Sequence, residues 1–157
     1  MIKDHRCRTP TDVSTLLGGF MSTEENKLVI SRWLEAWNTH DLEAAKGLLK
    51  DDYLRHDANL PDVVGREAEL QFIATVLGAF PDLRFEAQHV VAQDDLVMTR
   101  LTAQGTHQGD FLGVPASGRY VHFQSAETFG VLDGKIAEQW VVTDVLGLLQ
   151  QLGAIPT

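Results

Sequence analysis

The sequence predicts an α+β fold: a cone-shaped barrel in which three N-terminal helices pack on a curved antiparallel sheet, with a short C-terminal helix. Apolar residues recur at helical spacing as far as Phe80, and they alternate along the segments after Pro81. Short turns separate those later segments, so neighbouring strands should pair antiparallel with the helices against one face. A sheet that curls around helices leaves an open mouth, which is a natural small-molecule site.

The first half of the chain predicts three helices. Ser22 and Glu25 have the spacing of a capping box, and the apolar residues after them repeat at i, i+3, i+4 and i+7. Asp41 is placed to cap a second helix, and a third is expected over Arg66–Ala79. Between these two, Asp51–Ala58 is expected to be a short strand or an extended segment.

Four strands and a last helix are expected in the second half. The strands are predicted over Leu83–Ala92, Leu96–Thr106, Arg119–Phe129 and Lys135–Val142. Asp144 can cap the terminal helix, Val145–Leu152, which Gly153 ends.

The turn at Asp133-Gly134 decides which residues of the last two strands face each other. A three-residue loop with a glycine bulge would place Glu127 opposite Gln139, with Trp140 on the other face. A tight two-residue turn would instead place Glu127 opposite Trp140. The first register is the expected one.

Length, composition and charge indicate one soluble globular domain. The 157 residues can bury a core without disulfides, and 44% hydrophobic with 22% charged residues is ordinary. The net charge of −9 argues against a nucleic-acid partner and against an anionic membrane surface, because both attract clustered Lys and Arg. The single cysteine, Cys7, cannot form an intrachain disulfide, so a cytoplasmic location is expected.

Residues 1–20 differ in composition from the rest of the chain and are interpreted as an N-terminal extension. Met21 opens the first helix and is a candidate natural start. The domain is therefore expected over residues 21–157.

The most informative stretch is 105–118, GTHQGDFLGVPASG. Glycines at this density mark turns or close approaches of the chain. Because a histidine, an acid and a phenylalanine lie among them, the block is expected to border a cleft, with His107 on a loop that could cover it.

Three segments resemble the SnoaL-like polyketide cyclases of the nuclear-transport-factor-2-like superfamily: WNTHDLEAAKGLL, FPDLRFEAQHVVAQDDLVMTRLTAQGTHQGDFLGVPASGR and DGKIAEQWVVTDVLGLLQQLG. The resemblance extends over Glu24–Gly153 and implies a cone-shaped barrel, usually homodimeric, with an apolar pocket and no cofactor. It also implies intramolecular aldol ring closure of a polyketide by general acid–base catalysis. In the characterised cyclases an aspartate of a His-Trp-Asp sequence is the acid/base, whereas Gln139, Trp140 and Val141 stand here.

Glu127 is the first candidate for the missing acid/base, because it shares a strand face with Phe123 and Ser125. A partly desolvated carboxyl has a raised pKa and can act as a general base. His56 and Asp57 are the other candidates, and the base of the related ketosteroid isomerases aligns by count with Asp57. A strand of period two sends only one of this pair inward. The alternative for Glu127 is a structural bond to Gln139 or Arg100, or exposure to solvent.

The remaining site predictions concern the walls of the pocket. Gln139 or His107 would stabilise an enolate oxygen. The expected substrate-binding residues are Trp37, Asn38, Tyr53, His107, Phe111, Phe123 and Trp140. Structural roles in the core and at helix ends stay open for the tryptophans and Asn38. No metal site is expected, because the other histidines have no suitable spacing from acids.

Two functions from different classes are compatible with these residues. The first is a cofactor-independent cyclase or isomerase that abstracts a proton next to a carbonyl of a hydrophobic compound. The second is a module of the same fold that binds a small hydrophobic molecule without converting it. Leu96–Thr106 carries apolar residues on both faces, so a homodimer through the outer face of the sheet is also expected.

Overall fold

The computed structural model describes Met21–Pro156 and confirms the α+β class, with four helices and one six-stranded, curved and unclosed sheet. The elements are α1 (Thr23–Thr39), α2 (Leu42–Leu48), β1 (Leu49–Asp57), β2 (Val63–Val64), α3 (Arg66–Ala79), β3 (Arg84–Gln93), β4 (Leu96–Thr106), β5 (Tyr120–Leu132), β6 (Lys135–Thr143) and α4 (Val145–Leu152). The expected extension, residues 1–20, lies outside the described residues.

The helix starts follow from local hydrogen bonding. Ser22 and Glu25 form the predicted capping box, in which the Glu25 amide donates to Ser22 Oγ at 3.2 Å and the Ser22 amide donates to Glu25 Oε2 at 2.7 Å. Asp41 and Asp144 accept from the amides of Ala44 and Gly147 and so cap α2 and α4. Each cap satisfies an amide that the helix leaves without a partner.

The strand order is β2-β1-β6-β5-β4-β3, and one pairing differs from the prediction. An antiparallel sheet was expected, with no partner predicted for the segment 51–58, but β1 pairs parallel with β6. These strands are far apart in the sequence, and the long connection between them allows a parallel return that short turns do not. The two-residue strand β2 was not predicted and pairs with β1 at the sheet edge.

The predicted register of β5 and β6 was wrong. Asp133 and Gly134 form a two-residue turn with φ of 53° and 73°, the positive values of a type I′ hairpin turn. One extra residue in β6 then shifts the pairing between Gly130 and Val131. The combined result places Glu127 opposite Val141, opposite neither Gln139 nor Trp140.

The bulge nevertheless leaves Glu127 and Gln139 on one face of the sheet. Gln139 pairs with Phe129, two residues from Glu127, so the two polar side chains are diagonal neighbours. Trp140 points to the opposite face and is 39% exposed. The orientations expected for these three residues therefore hold, although the register that led to them does not.

The core lies between the inner face of the sheet and helices α1 and α3. Its largest fully buried side chains include Trp33, Tyr53, Phe80 and Phe129. The glycine-rich loop of residues 107–118 is fastened to the end of α3, since the amides of Gln108 and Gly109 both donate to the Ala79 carbonyl at 2.8 and 3.2 Å. This attachment positions Phe111 in the wall of a cavity between the helices and the sheet.

Candidate functional site

The cavity has mostly apolar walls and one polar region. The space between its walls is about 830 Å³ when the open mouth is included. Aromatic side chains on its wall include Trp37, Phe72, Phe80, Phe85, Phe111 and Phe123. Its polar lining includes Arg55, Asp57, Glu69, Ser125, Glu127 and Gln139. Such a pocket suits a largely apolar molecule that carries a few oxygen functions.

Glu127 lies on the inner face of β5 and is held by two hydrogen bonds. Ser125 Oγ donates to Glu127 Oε1 at 3.0 Å, and Gln139 Nε2 donates to Glu127 Oε2 at 2.9 Å. Burial raises the pKa of Glu127, and this effect exceeds the opposite effects of Ser125, Arg55 and Gln139. The carboxyl therefore binds a proton more readily than an ordinary glutamate, as a general base requires.

Gln139 is itself oriented by Tyr53. The Tyr53 hydroxyl donates to Gln139 Oε1, so the amide nitrogen of Gln139 faces Glu127. Tyr53 is fully buried, and burial followed by the negative charge of Glu69 raises its pKa. The hydroxyl thus stays neutral and remains a donor. Both ends of the Gln139 amide are engaged, and its main action is on Glu127.

Arg55 and Asp57 form a buried ion pair on β1. Arg55 Nη2 lies 2.7 Å from Asp57 Oδ2, and the Arg55 guanidinium lies over the Phe72 ring, 4.1 Å from its centroid. Asp57 Oδ1 accepts from the amides of Asn59 and Leu60. With both oxygens bonded, Asp57 is a poor candidate for the base and is better placed to orient Arg55.

Glu69 reaches the same polar region from α3. It is 1% exposed, and burial raises its pKa to about 7, with the charges of Glu127 and Asp57 adding to burial and Arg55 opposing it. Within Met21–Pro156, neither Glu69 Oε2 nor Arg55 Nη1 has a hydrogen-bond partner. The cavity therefore contains two carboxyls with raised pKa values and one guanidinium with an N–H that no described residue accepts.

The sequence interpretation missed Arg55 and Glu69, although both carried a signal. Tyr53, Arg55 and Asp57 alternate along β1 and so share its inner face. Glu69 lies four residues before the buried Ile73 and therefore on the apolar face of α3. A carboxyl on the apolar face of a helix is costly unless it has a function or a partner.

His56 does not lie in the cavity, which corrects its prediction as a catalytic residue. The alternation of β1 directs Asp57 inward and His56 to the outer face, where its ring stacks on Trp140 at 5.6 Å between centroids. Its ring nitrogens contact Glu138 at 2.7 Å and Asp62 at 3.2 Å. Partial burial lowers the pKa of His56, but the hydrogen bonds to Glu138 and Asp62 raise it by more.

Three expected wall residues lie elsewhere. Trp140 is on the outer face of β6, as described above. His107 is fully buried in the loop, where Nδ1 contacts Ser117 Oγ at 3.0 Å and the ring packs on Phe80, so it supports the wall from behind. Asn38 joins α1 to β3 through two bonds with the Phe85 backbone and does not line the cavity.

The other predicted wall residues are close to the site. Trp37, Phe111 and Phe123 line the cavity. Tyr53 lies behind the lining and acts through Gln139. Glu127 and Gln139 line the cavity side by side, and their roles in catalysis stay predictions.

Two further features of the described part of the chain bear on other functions. From Met21 to Pro156, no group of three or more His, Cys, Asp or Glu side chains is arranged to hold a metal ion. Over the same residues, no helix combines the length and the apolar character needed to cross a membrane.

Comparisons with known proteins agree with this fold. The family model for SnoaL-like polyketide cyclase matches residues 27–152. The aklanonic acid methyl ester cyclase DnrD of Streptomyces peucetius is 28% identical over 136 residues, which are 85% of this chain and 92% of DnrD.

Two solved structures are similar in both sequence and fold. AclR from Streptomyces galilaeus, a proposed hydroxylase, has a TM-score of 0.78 and 32% identity, covering 87% of this chain and 85% of AclR. IdmH from Streptomyces antibioticus, a proposed polyketide cyclase, has a TM-score of 0.72 and 34% identity, covering 82% of this chain and 98% of IdmH. The family match includes every residue of the polar region of the cavity. The chain belongs to the SnoaL-like polyketide cyclase family.

Proposed function

We propose that this protein closes a carbocyclic ring in a hydrophobic polyketide by an intramolecular aldol reaction that needs no cofactor, with Glu127 as the base. One observation carries the proposal: a carboxyl with a raised pKa, fixed by Ser125 and Gln139, lines an otherwise largely apolar cavity. Apolar surroundings favour abstraction of a carbon-bound proton, since they raise the basicity of the carboxylate.

The position of Glu127 accounts for the valine that replaces the expected acid. Val141, which stands where the characterised cyclases have their aspartate, is directly opposite Glu127 in the β5–β6 pair. Side chains at such positions start about 5 Å apart at Cβ. A glutamate on the neighbouring strand can therefore bring its carboxyl to nearly the same part of the cavity as an aspartate on β6.

The lining also favours a neutral substrate. The polar region holds the three carboxyls of Asp57, Glu69 and Glu127 with the single guanidinium of Arg55. An anionic ligand would add to this negative charge in a poorly solvated place. Because the similar DnrD is a cyclase of aklanonic acid methyl ester, we infer that neutral aromatic polyketide esters are the substrate class.

The experiment follows proton exchange and ring closure separately. The protein is incubated with aklanonic acid methyl ester in deuterated buffer, and deuterium at the carbonyl-adjacent carbon and the cyclised product are measured by mass spectrometry. Glu127→Gln should lower exchange by roughly 10²-fold or more, the usual size of a general-base effect, while the affinity for the ester changes little. Glu86→Gln is the matched control, because Glu86 is exposed on β3.

A binding module is the second candidate, and Val141 is the observation that favours it. If the wild-type protein binds the ester but promotes neither exchange nor closure, the cavity stores or carries its ligand and the cyclase proposal is wrong. Exchange that persists in Glu127→Gln would remove Glu127 as the base and leave an enzyme with another base.

We further propose a cytoplasmic homodimer that interacts neither with nucleic acid nor with membranes. The net charge of −9 supports the last two points, and the single cysteine supports the location. Exposed apolar side chains on the outer face of the sheet, among them Met98 and Val142, support the dimer.

A further inference from the structure

Two polar atoms on the α3 side of the cavity are buried without a hydrogen-bond partner among residues 21–156. Glu69 is 1% exposed and Arg55 is 7% exposed, and both residues line the cavity. Among the described residues, Arg55 pairs with Asp57 through Nη2, while Arg55 Nη1 and Glu69 Oε2 bond to nothing. Buried polar groups normally have partners, so a donor and a carboxyl oxygen left open in one cavity indicate that a ligand atom completes them.

We propose that Glu69 is the proton donor of the ring closure: it protonates the oxygen of the attacked carbonyl while Arg55 Nη1 holds that oxygen. This inference rests on the proposed aldol function and names the residue that supplies the proton in its second half, the protonation of the attacked carbonyl oxygen. An aldol closure needs a base at one carbon and an acid at another oxygen. Glu127 lies on β5 and Glu69 on α3, so the two carboxyls approach the cavity from different elements.

The two carboxyls differ in the hydrogen bonds that they accept. Glu127 accepts from Ser125 and Gln139, and both bonds favour its ionised form. Glu69 Oε2 accepts no hydrogen bond from the part of the chain that the structure describes, and burial raises the pKa of Glu69 to about 7.

The charged and titratable groups that act on Glu69 are Arg55, Asp57, Tyr53 and Glu127. The negative charges of Glu127 and Asp57 raise the pKa of Glu69, and Arg55 lowers it. Two nearby carboxyls titrate as a pair, and the proposed division of roles requires that the shared proton lie on Glu69 while Glu127 is ionised.

The reaction balances with these two groups. Glu127 removes a proton from the carbon next to one carbonyl, and the enolate carbon forms a bond to the second carbonyl carbon. The electron pair of that C=O bond moves to its oxygen, which Arg55 Nη1 stabilises and Glu69 protonates. Glu127 then carries a proton and Glu69 a negative charge. Transfer of one proton between them through solvent restores the site, and substrate and product are isomers.

The test separates the two halves of the reaction. With aklanonic acid methyl ester in deuterated buffer, Glu69→Gln should keep deuterium exchange within about three-fold of wild type. Its rate of closure should fall by roughly 10²-fold or more, since a general acid contributes that much. Glu127→Gln should lose both exchange and closure. Glu67→Gln, on the exposed side of the same helix, is the matched control and should behave as wild type.

The pH profile gives a second readout that a purely structural role would not change. Closure by wild type should fall as pH rises above about 7, because Glu69 then loses the proton it must donate. Glu69→Gln should lack this decline. Carbon-13 NMR of labelled glutamate, assigned by comparison with Glu69→Gln, should show the Glu69 carboxyl titrating near neutral pH in the wild type.

Each outcome decides the proposal. Closure in Glu69→Gln at the wild-type rate, or a Glu69 carboxyl that titrates near 4.5, overturns the donor role and leaves Glu127 as base. Loss of exchange together with closure in a folded Glu69→Gln protein overturns the division of roles. If wild type does not close the ester, the proposed function fails, and the donor role fails with it.

Discussion

One of the two hydrogen bonds that hold Glu127, the bond from Gln139, depends on a side chain that does not itself line the cavity. Tyr53 is fully buried and donates to Gln139 Oε1, which leaves the Gln139 nitrogen to donate to Glu127. Without the Tyr53 hydroxyl, the Gln139 amide could turn and present its oxygen to the carboxyl. The basicity of Glu127 therefore depends on Tyr53, which acts through Gln139.

Tyr53→Phe tests this dependence. Loss of the oriented Gln139 donor should raise the pKa of Glu127 further, so the rise of exchange rate with pH should move to higher pH. The buried Gln139 oxygen left without a donor should lower the free energy of unfolding by about 1–3 kcal/mol. Tyr120→Phe is the control, because Tyr120 is 61% exposed. An unchanged pH profile in Tyr53→Phe would show that Gln139 is oriented by other contacts.

The raised pKa of Glu69 leads to a separate prediction about the pH dependence of stability. An ordinary glutamate has a pKa of 4.5, whereas that of Glu69 in the folded protein is about 7, so the folded state binds more protons between these values. Stability should therefore fall as pH rises through this interval, by about 3 kcal/mol for a group so completely buried. Glu127, whose pKa is also raised, acts in the same direction.

Glu69→Gln should remove this part of the pH dependence. We expect the free energy of unfolding of the variant, measured relative to wild type by urea unfolding, to be higher by about 3 kcal/mol at about pH 8 than at about pH 4. Glu67→Gln should show no such gain, because Glu67 has a largely exposed side chain. Equal pH dependence in wild type and Glu69→Gln would mean that the Glu69 carboxyl is ionised in the folded protein at no cost.

At the scale of single residues, the sequence predicted the acid but not its neighbours. Glu127 interrupts an apolar strand face, which is visible without a structure. The choice between His56 and Asp57 depended on which face of β1 is buried, and the parallel pairing with β6 decides that. Arg55 and Glu69 belong to elements whose inner faces could be read from periodicity, but their meeting in one cavity is a tertiary contact.

The elements themselves were largely predictable because local signals agree with the fold. Caps at Ser22, Asp41 and Asp144 fixed three helix starts. The Asp133-Gly134 pair is compatible with the two-residue turn that forms, but the bulge in β6 that shifts the pairing has no signal in the nearby sequence, so the register was not predictable. Their combination leaves Glu127 and Gln139 facing the same side.

The glycine-rich loop depends on close contact with α3. A Cβ added at Gly109 would lie 2.7 Å from the Gly78 carbonyl oxygen and 3.0 Å from Ala79 Cα, which are backbone atoms that cannot easily move. The loop could then no longer dock through the Ala79 carbonyl, and Phe111 would lose its position in the wall of the cavity.

Gly109→Ala should accordingly lower the free energy of unfolding by about 1–3 kcal/mol, as other overpacked sites do. Gly78→Ala is a matched control, because an added Cβ there meets nothing within 4 Å. Replacing a glycine within a helix should leave stability unchanged or raise it by up to about 1 kcal/mol. Urea unfolding measures both variants, and equal effects would mean that the loop tolerates a side chain at Gly109.

At the scale of the whole molecule, the fold uses its two sheet faces differently. The inner face carries the core and the polar region of the cavity, whereas the outer face exposes apolar side chains on β4 and β6. Met98 and Val142 are each 58% exposed, and Trp140 is 39% exposed beside His56, which contacts Glu138. The class of fold could be predicted from periodicity and short turns, and the apolar residues on both faces of β4 are the basis of the dimer expected at the outer face.

The outer face of the sheet should form the homodimer interface. Isolated exposed apolar residues are common, but Met98 and Trp140 both flank Thr128 in the sheet register and so form a continuous row. A stable dimer through this row would bury roughly 1,600 Å² in total.

Sedimentation of the full chain should give twice the 17.4 kDa chain mass. Met98→Lys should give the single mass, because a charge would be buried without a partner, whereas Leu28→Lys on α1 should leave the dimer intact. A wild-type protein that sediments as a monomer at micromolar concentration would show that the apolar row remains exposed to solvent.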